Sequence, residues 1–90
     1  MPKFVIERTV PNAGRFSLKE LSELSARSCR VLRELGPRIQ WVQSYVTDDK
    51  LYSVYLAPGV DLIREHALRG GFPLDSIREI KAIIDPATAE

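Results

Sequence analysis

The chain has 90 residues, of which 44% are hydrophobic and 28% charged, a composition typical of a soluble globular domain. Its formal net charge of +1 excludes the strongly basic surface that nucleic acid or anionic lipid would require. No apolar run approaches the length of a membrane span, and a single cysteine, Cys29, excludes an internal disulfide. We therefore expect one domain, residues 1–90, in a reducing cytoplasm.

The first half of the chain predicts a strand and a long helix. Residues 3–9 (KFVIERT) alternate and are rich in β-branched side chains, which favours a strand over a signal peptide. Ser17 followed by Glu20 has the spacing of a capping box, which predicts the start of a helix. Gly36-Pro37 predicts its end, because glycine accepts a left-handed cap and proline cannot continue the helix.

The second half predicts a hairpin, a second helix and a last strand. Strands over 39–47 and 51–57 flank a polar turn, and a helix from about Val60 to Arg69 stops at Gly70-Gly71. Residues 77–85 (IREIKAIID) predict strand four. The order β-α-β-β-α-β is the ferredoxin-like motif. The predicted fold class is therefore α+β, a four-stranded antiparallel sheet with two helices on one face and the other face bare.

The turn of the hairpin decides which residues face the helices. A two-residue turn at Asp48-Asp49 would pair Tyr45 with Tyr52 and mix aliphatic and polar residues on both faces. A three-residue turn that includes Lys50 separates them better, and we predict this second register. The residues it places on the bare side are Trp41, Gln43, Tyr45, Thr47, Leu51, Ser53 and Tyr55, joined by Val5 and Glu7 of strand one and Glu79, Lys81 and Ile83 of strand four.

A bare face of this composition predicts an interface, because aromatic and aliphatic residues with a polar rim are typical of protein contacts. Symmetric pairs are the commonest oligomers, so we expect a homodimer through this face. Two packed sheets would also enclose a cleft for a small ligand. The residues expected in the dimer interface are Trp41, Tyr45, Leu51 and Tyr55. The candidates for contact with a ligand in the cleft are Gln43, Tyr45, Ser53 and Tyr55.

Three segments resemble a known bacterial family: VIERT (5–9), WVQSYVTDDKLYSVYLAP (41–58), and IREHALRGGFP (63–73) with the closing IDPATAE (84–90). The family consists of small ferredoxin-like domains of unknown function and is typified by a nickel-responsive, nickel-binding dimeric protein. The resemblance covers nearly the whole chain. It implies nickel or another divalent transition metal as ligand, a dimer, and no established enzymatic activity.

The resemblance also draws attention to Gln43 and Ser53. The family commonly has a histidine at the first position and a cysteine at the second. In the predicted register the two positions lie diagonally on one face, about 7–8 Å apart at the backbone, where those family residues would form a soft-metal pair. Glutamine and serine offer neither an imidazole nitrogen nor a thiolate. The resemblance therefore implies metal binding that is weakened in this chain or moved to other residues.

His66 and Glu7 are the metal-ligand candidates that remain. His66 is the single histidine and lies near the end of the second helix, where the helix dipole favours its protonated form. As a functional residue it is a metal ligand, an acid or base of the cleft, or a hydrogen-bond donor to a bound anion. As a structural residue it caps the last turn through the carbonyls around Gly70, and one histidine alone does not make a transition-metal site. Glu7 is expected on the bare side, where it either pairs with Lys81 or Arg8 or reaches into the cleft.

Two functions of different classes stay open at this point. The first is a non-enzymatic small dimeric binding protein that resembles the nickel-binding family, with metal binding weakened by Gln43 and Ser53. The second is a dimeric ferredoxin-like protein that holds a small molecule between sheet and helices, as some monooxygenases and isomerases of aromatic substrates do. Trp41, Tyr45 and Tyr55 favour the second function, and the lack of an acid–base pair disfavours it. We assign no catalytic residue, and we expect neither nucleic acid nor membrane as a partner.

Overall fold

The computed structural model describes all 90 residues and has the predicted order of elements. The main elements are β1 (Lys3–Thr9), α1 (Leu18–Leu35), β2 (Gln40–Val46), β3 (Lys50–Leu56), α2 (Val60–Gly70) and β4 (Ser76–Glu79). Short 3-10 turns cover Ala13–Arg15 and Pro86–Ala89. The strands form one antiparallel sheet in the order β2-β3-β1-β4, which confirms the ferredoxin-like α+β fold. Neither α-helix combines the length and the apolarity that a membrane crossing needs.

The helix boundaries follow the predicted start and stop signals. The backbone N–H of Glu20 donates to the hydroxyl of Ser17 at 3.1 Å, and the Glu20 carboxylate accepts from the Ser17 N–H at 3.0 Å, so the capping box forms. Gly36 ends α1 with φ 88°, and Gly71 ends α2 with φ 68°, in a region of backbone space that glycine enters without steric cost.

The core lies between the sheet and both helices. Phe4 and Ile6 of β1 and Tyr55 of β3 pack against Ile63 of α2, and the half-buried Leu32 of α1 packs on this cluster. Alternation along β1 and β3 sends the intervening residues to the opposite side of the sheet. No element of the chain covers that side, which we call the bare face. Val5, Glu7, Tyr52 and Val54 lie on this face.

The predicted three-residue hairpin turn is wrong. The N–H of Thr47 donates to the carbonyl of Lys50 at 2.9 Å, so Asp48 and Asp49 form a two-residue turn. Tyr45 consequently stands opposite Tyr52, in the register that the sequence analysis disfavours.

A β-bulge at Val42, which the sequence pattern did not reveal, changes which residues of β2 face the helices. The ladder pairs Gln43 with Val54 but Trp41 with Tyr55, so one residue of β2 is left over between these pairs. Val42 lies in this irregularity and is 49% exposed. Because of the extra residue, Trp41 lies on the helix side of the sheet, with the buried Ile39 just before the strand. Both faces are nevertheless mixed, as the sequence suggests for a two-residue turn, since Ser44 and Ser53 lie on the helix side and Tyr52 and Val54 on the bare side.

The corrected register reverses the predicted faces of β3. Leu51, Ser53 and Tyr55 are buried on the helix side, and Trp41 packs against the core from the same side. The prediction that these residues lie on the bare face is therefore wrong. Trp41, Leu51 and Tyr55 consequently cannot contribute to an interface through that face. Gln43 and Tyr45 are exposed and lie on the bare side, as predicted.

Strand β4 is shorter than predicted, because its partner β1 begins at Lys3. The N–H of Ile80 donates to the carbonyl of Lys3 at 2.7 Å, and beyond this bond β1 offers no further partner. Glu79 stands opposite Phe4 and therefore lies on the helix side. The predicted placement of Glu79, Lys81 and Ile83 on the bare face is wrong. The residues that β4 adds to that face are Ser76 and Arg78.

Candidate functional site

A cavity of about 420 Å³ lies on the helix side of the sheet, bordered by β1, β2, β3 and α1. Most of its wall is apolar: Phe16, Leu21, Leu24, Trp41, Leu51 and Tyr55. Two of the cleft candidates predicted from the sequence, Ser53 and Tyr55, line this cavity, whereas Gln43 and Tyr45 lie outside it on the bare face. The corrected register thus divides the four candidates between two sides of the sheet.

Arg8 is the charged residue of the cavity that is most deeply buried. It follows Phe4 and Ile6 in the inward alternation of β1 and is only 3% exposed. Its Nη1 donates to the carbonyl of Pro73 at 2.7 Å, but its Nη2 is buried without a hydrogen-bond partner. None of the five ion pairs of the chain includes Arg8. A buried guanidinium without a counter-charge is costly, so this position is electrostatically incomplete.

Phe72 holds the cationic end of the cavity in place. The guanidinium carbons of Arg8 and Arg27 lie 5.5 Å and 4.7 Å from the centre of its ring. His66 stacks on the same ring with 5.1 Å between centroids, and Tyr55 packs on His66 at 5.3 Å. Cations over an aromatic face are attracted to its negative quadrupole, so Phe72 partly compensates the two arginines.

His66 is neutral in this setting. Its ring is 1% exposed, its Nε2 shares a 3.0 Å hydrogen bond with the hydroxyl of Ser28, and its Nδ1 is buried without a partner. Burial lowers the pKa of His66 from 6.5 to about 4, and the charge of Arg8 acts in the same direction. The prediction that the ring is held in its protonated form is therefore wrong, because burial disfavours that form. The ring bonds to Ser28 on α1 and does not cap the carbonyls around Gly70.

The positions that the resemblance singles out do not meet in one chain. Ser53 is buried on the helix side, where its hydroxyl is 2.7 Å from that of Ser44, which also accepts from the indole N–H of Trp41 at 2.9 Å. Gln43 lies on the bare face and donates to the hydroxyl of Tyr45. The prediction that Gln43 and Ser53 share a face is wrong, because it depended on the three-residue turn.

Glu7 already has a cation beside it. The ammonium of Lys50 lies 2.8 Å from the Glu7 carboxylate and 3.7 Å from that of Asp75, on the bare side. The hydrogen bond with Glu7 raises the pKa of Lys50, and the charges of both carboxylates add to the effect. Neither Lys81 nor Arg8, the two partners considered from the sequence, pairs with Glu7. Lys81 pairs instead with Glu79 at 3.2 Å.

The residues of one chain do not fit the nickel site that the resemblance implies. No three His, Cys, Asp or Glu side chains come close enough together to hold an ion. The two predicted ligands lie apart, with His66 buried under the helices and Glu7 on the bare face. A nickel site of ordinary strength would need several such ligands at once.

Sequence reasoning did not single out Arg8 or Phe72 as site residues. A signal for Arg8 was present, because the bounds of β1 were predicted correctly and alternation from Phe4 and Ile6 leads to Arg8. Phe72 carried no comparable signal, since its position depends on how the chain turns after α2.

Comparison with known proteins identifies the family. The model of the family described as "Nickel responsive protein SCO4226-like" matches residues 4–80. The crystal structure of SCO4226 from Streptomyces coelicolor A3(2) has the same fold, with a TM-score of 0.76 over 91% of this chain and 99% of that chain, at 13% sequence identity. No protein of curated function matches the chain. Because the family match spans most of the 90 residues, the chain belongs to the SCO4226-like family of nickel-responsive proteins.

Proposed function

We propose that the chain is a small, non-enzymatic, homodimeric binding protein of the cytoplasm, and that it binds nickel weakly through carboxylates on its bare face. Membership of a nickel-responsive family supports the connection with nickel. The observation that carries the proposal is the ammonium of Lys50 between Glu7 and Asp75, because it occupies the position that a bound cation would take. Nickel would have to displace this ammonium, and the competition makes its binding weak.

Two further observations support weak binding. Gln43 and Ser53 supply no imidazole or thiolate, so the remaining ligands are carboxylate oxygens, which hold nickel less firmly than nitrogen or sulfur ligands do. One chain also has too few ligands close together. A dimer formed through the bare face would carry two such carboxylate pairs, one from each chain.

Isothermal titration calorimetry of tag-free protein with nickel tests the proposal. We expect a dissociation constant on the order of 100 µM for the parent chain. Lys50→Met removes the competing ammonium and should tighten nickel binding about tenfold, since a like charge at contact distance is lost. Glu7→Gln should abolish binding. His66→Gln should titrate like the parent, because the ring of His66 is buried and already bonded to Ser28.

Lys81→Met is the matched control, since it removes an exposed lysine that pairs with Glu79 and not with Glu7. Its nickel affinity should equal that of the parent. Nickel binding that persists in Glu7→Gln with the affinity of the parent would contradict Glu7 as a ligand. Absence of binding in the parent and also in Lys50→Met would show that nickel does not bind at this carboxylate pair.

A further inference from the structure

We propose that the cavity between the sheet and α1 binds a small apolar organic acid, with its anionic group on Arg8 and its hydrocarbon body against the apolar wall. This inference is independent of the nickel proposal. The cavity lies on the helix side of the sheet, and the carboxylate pair of Glu7 and Asp75 lies with Lys50 on the other side.

The size and lining of the cavity fit a small organic molecule. Its volume of about 420 Å³ lies within the range of roughly 300–1,000 Å³ that is usual for small-molecule sites. Such sites combine a mainly apolar wall with a few fixed polar groups. Here the wall includes Leu24, Trp41 and Tyr55, and the fixed polar group is Arg8.

Arg8 points to a negative charge on the ligand. Arg8 is 3% exposed and lines the cavity, and its Nη2 has no hydrogen-bond partner. A carboxylate would supply both the missing hydrogen-bond acceptor and the missing counter-charge, and such charge-assisted bonds are among the strongest in proteins. Two serines and the tryptophan of the cavity wall already have partners, since Ser44 and Ser53 bond to each other and Trp41 donates to Ser44.

The charges around the cavity also select an anion. Arg27 lines the cavity together with Arg8, and both guanidinium groups lie over the ring of Phe72. None of the 18 lining residues is an aspartate or a glutamate. With two guanidinium groups and no carboxylate, the cavity attracts organic anions and repels metal cations.

Trp41 provides a direct reporter, because it is the single tryptophan of the chain and lines the cavity. The probes are phenylbutyrate and phenylbutanol, which share a ring and a chain and differ in the carboxylate. Titration of the full chain with phenylbutyrate should change Trp41 fluorescence saturably. Phenylbutanol should bind at least about tenfold more weakly, since it offers Arg8 no charged acceptor.

Four variants locate the binding. Ser25→Phe places a large side chain in the cavity from α1 and should abolish the response to both probes. Arg8→Gln should lower the affinity for phenylbutyrate to that for phenylbutanol, and an unchanged affinity for phenylbutanol would show that the fold is retained. Arg27→Gln should weaken phenylbutyrate binding only. Arg30→Gln, an exposed arginine of α1 outside the cavity, should match the parent.

Equal affinity for the two probes would overturn the proposal, and so would the absence of a saturable response to either of them. Phenylbutyrate affinity that is unchanged in folded Arg8→Gln would also overturn it. If Arg8→Gln does not fold, Ser25→Phe and Arg27→Gln decide, because an unaltered affinity in both would place the probe outside this cavity.

Discussion

The buried surroundings of His66 disfavour the protonated form of its ring in the folded state. The ring is enclosed by Tyr55, Phe72 and Ser28, and the positive charge of Arg8 acts on it. In the unfolded chain the same imidazole meets water and titrates near its ordinary pKa of 6.5. The folded state therefore binds fewer protons than the unfolded state wherever the pH lies between these two pKa values.

This difference predicts a loss of stability in mild acid. Because the folded pKa is depressed, the contribution of His66 is fully present above pH 6.5 and declines as the pH falls toward about 4. The decline amounts to about 3 kcal/mol across that interval. Urea unfolding at a series of pH values measures it. His66→Gln is the comparison, since it keeps a polar side chain and removes the titration. Parallel pH profiles for parent and variant would refute a neutral His66.

The end of α2 is built around a glycine that has no room for a side chain. A Cβ on Gly70 would lie 2.1 Å from the ring of Phe72, which folds back over the last turn as its N–H donates to the carbonyl of Ala67 at 2.9 Å. This return sets Phe72 against His66 and under the two arginines. The helix end thus positions the cationic part of the cavity.

Gly70→Ala should therefore destabilise the fold by about 2 kcal/mol, because the packed ring of Phe72 has to move. Gly71→Ala is the matched control. Nothing lies within 4 Å of a Cβ there, so only its φ of 68° is unfavourable to alanine, at a cost of about 1 kcal/mol. Urea unfolding measures both changes. A larger loss in Gly71→Ala than in Gly70→Ala would contradict the contact with Phe72.

The helices and β1 were predictable from the sequence, and the hairpin was not. Ser17 with Glu20, Gly36 and Gly71 act on their immediate neighbours, so local pattern suffices to place the helix ends. The faces of β3 depend on the turn and on the bulge at Val42 together, and neither Asp48-Asp49 nor Val42 carries a residue signal that reveals this combination. The cavity depended on those faces, so Ser53 and Tyr55 were named as ligand candidates but placed on the wrong side of the sheet.

At the scale of the whole molecule, the bare face remains the surface on which we propose that two chains meet. After the register is corrected, its middle consists of Val5, Tyr52 and Val54, with the exposed Tyr45 beside them and Glu7 with Lys50 at one end. This face keeps the apolar centre and polar margin that are typical of an interface, although its members differ from those first expected.

Val54→Lys should convert a dimer into a monomer, since it places an unpaired charge at the centre of the face. We expect the dimer dissociation constant to rise at least about hundredfold, measured by sedimentation equilibrium. Leu18→Lys, at an exposed position of α1, is the matched control and should leave the dimer intact. A parent chain that sediments as a monomer would contradict the proposed assembly.

The neighbours Glu7 and Arg8 also act as a marker of strand alignment. They carry opposite charges to opposite sides of β1, one to Lys50 and one to the cavity. A slip of β1 by one residue against β3 would turn Phe4 and Ile6 outward and move the Glu7 carboxylate beneath the helices, away from its partner Lys50. The misaligned pairing would thus lose apolar burial and also break the pair of Glu7 with Lys50. The two charges therefore widen the energy gap between the native sheet and its nearest competitor during folding.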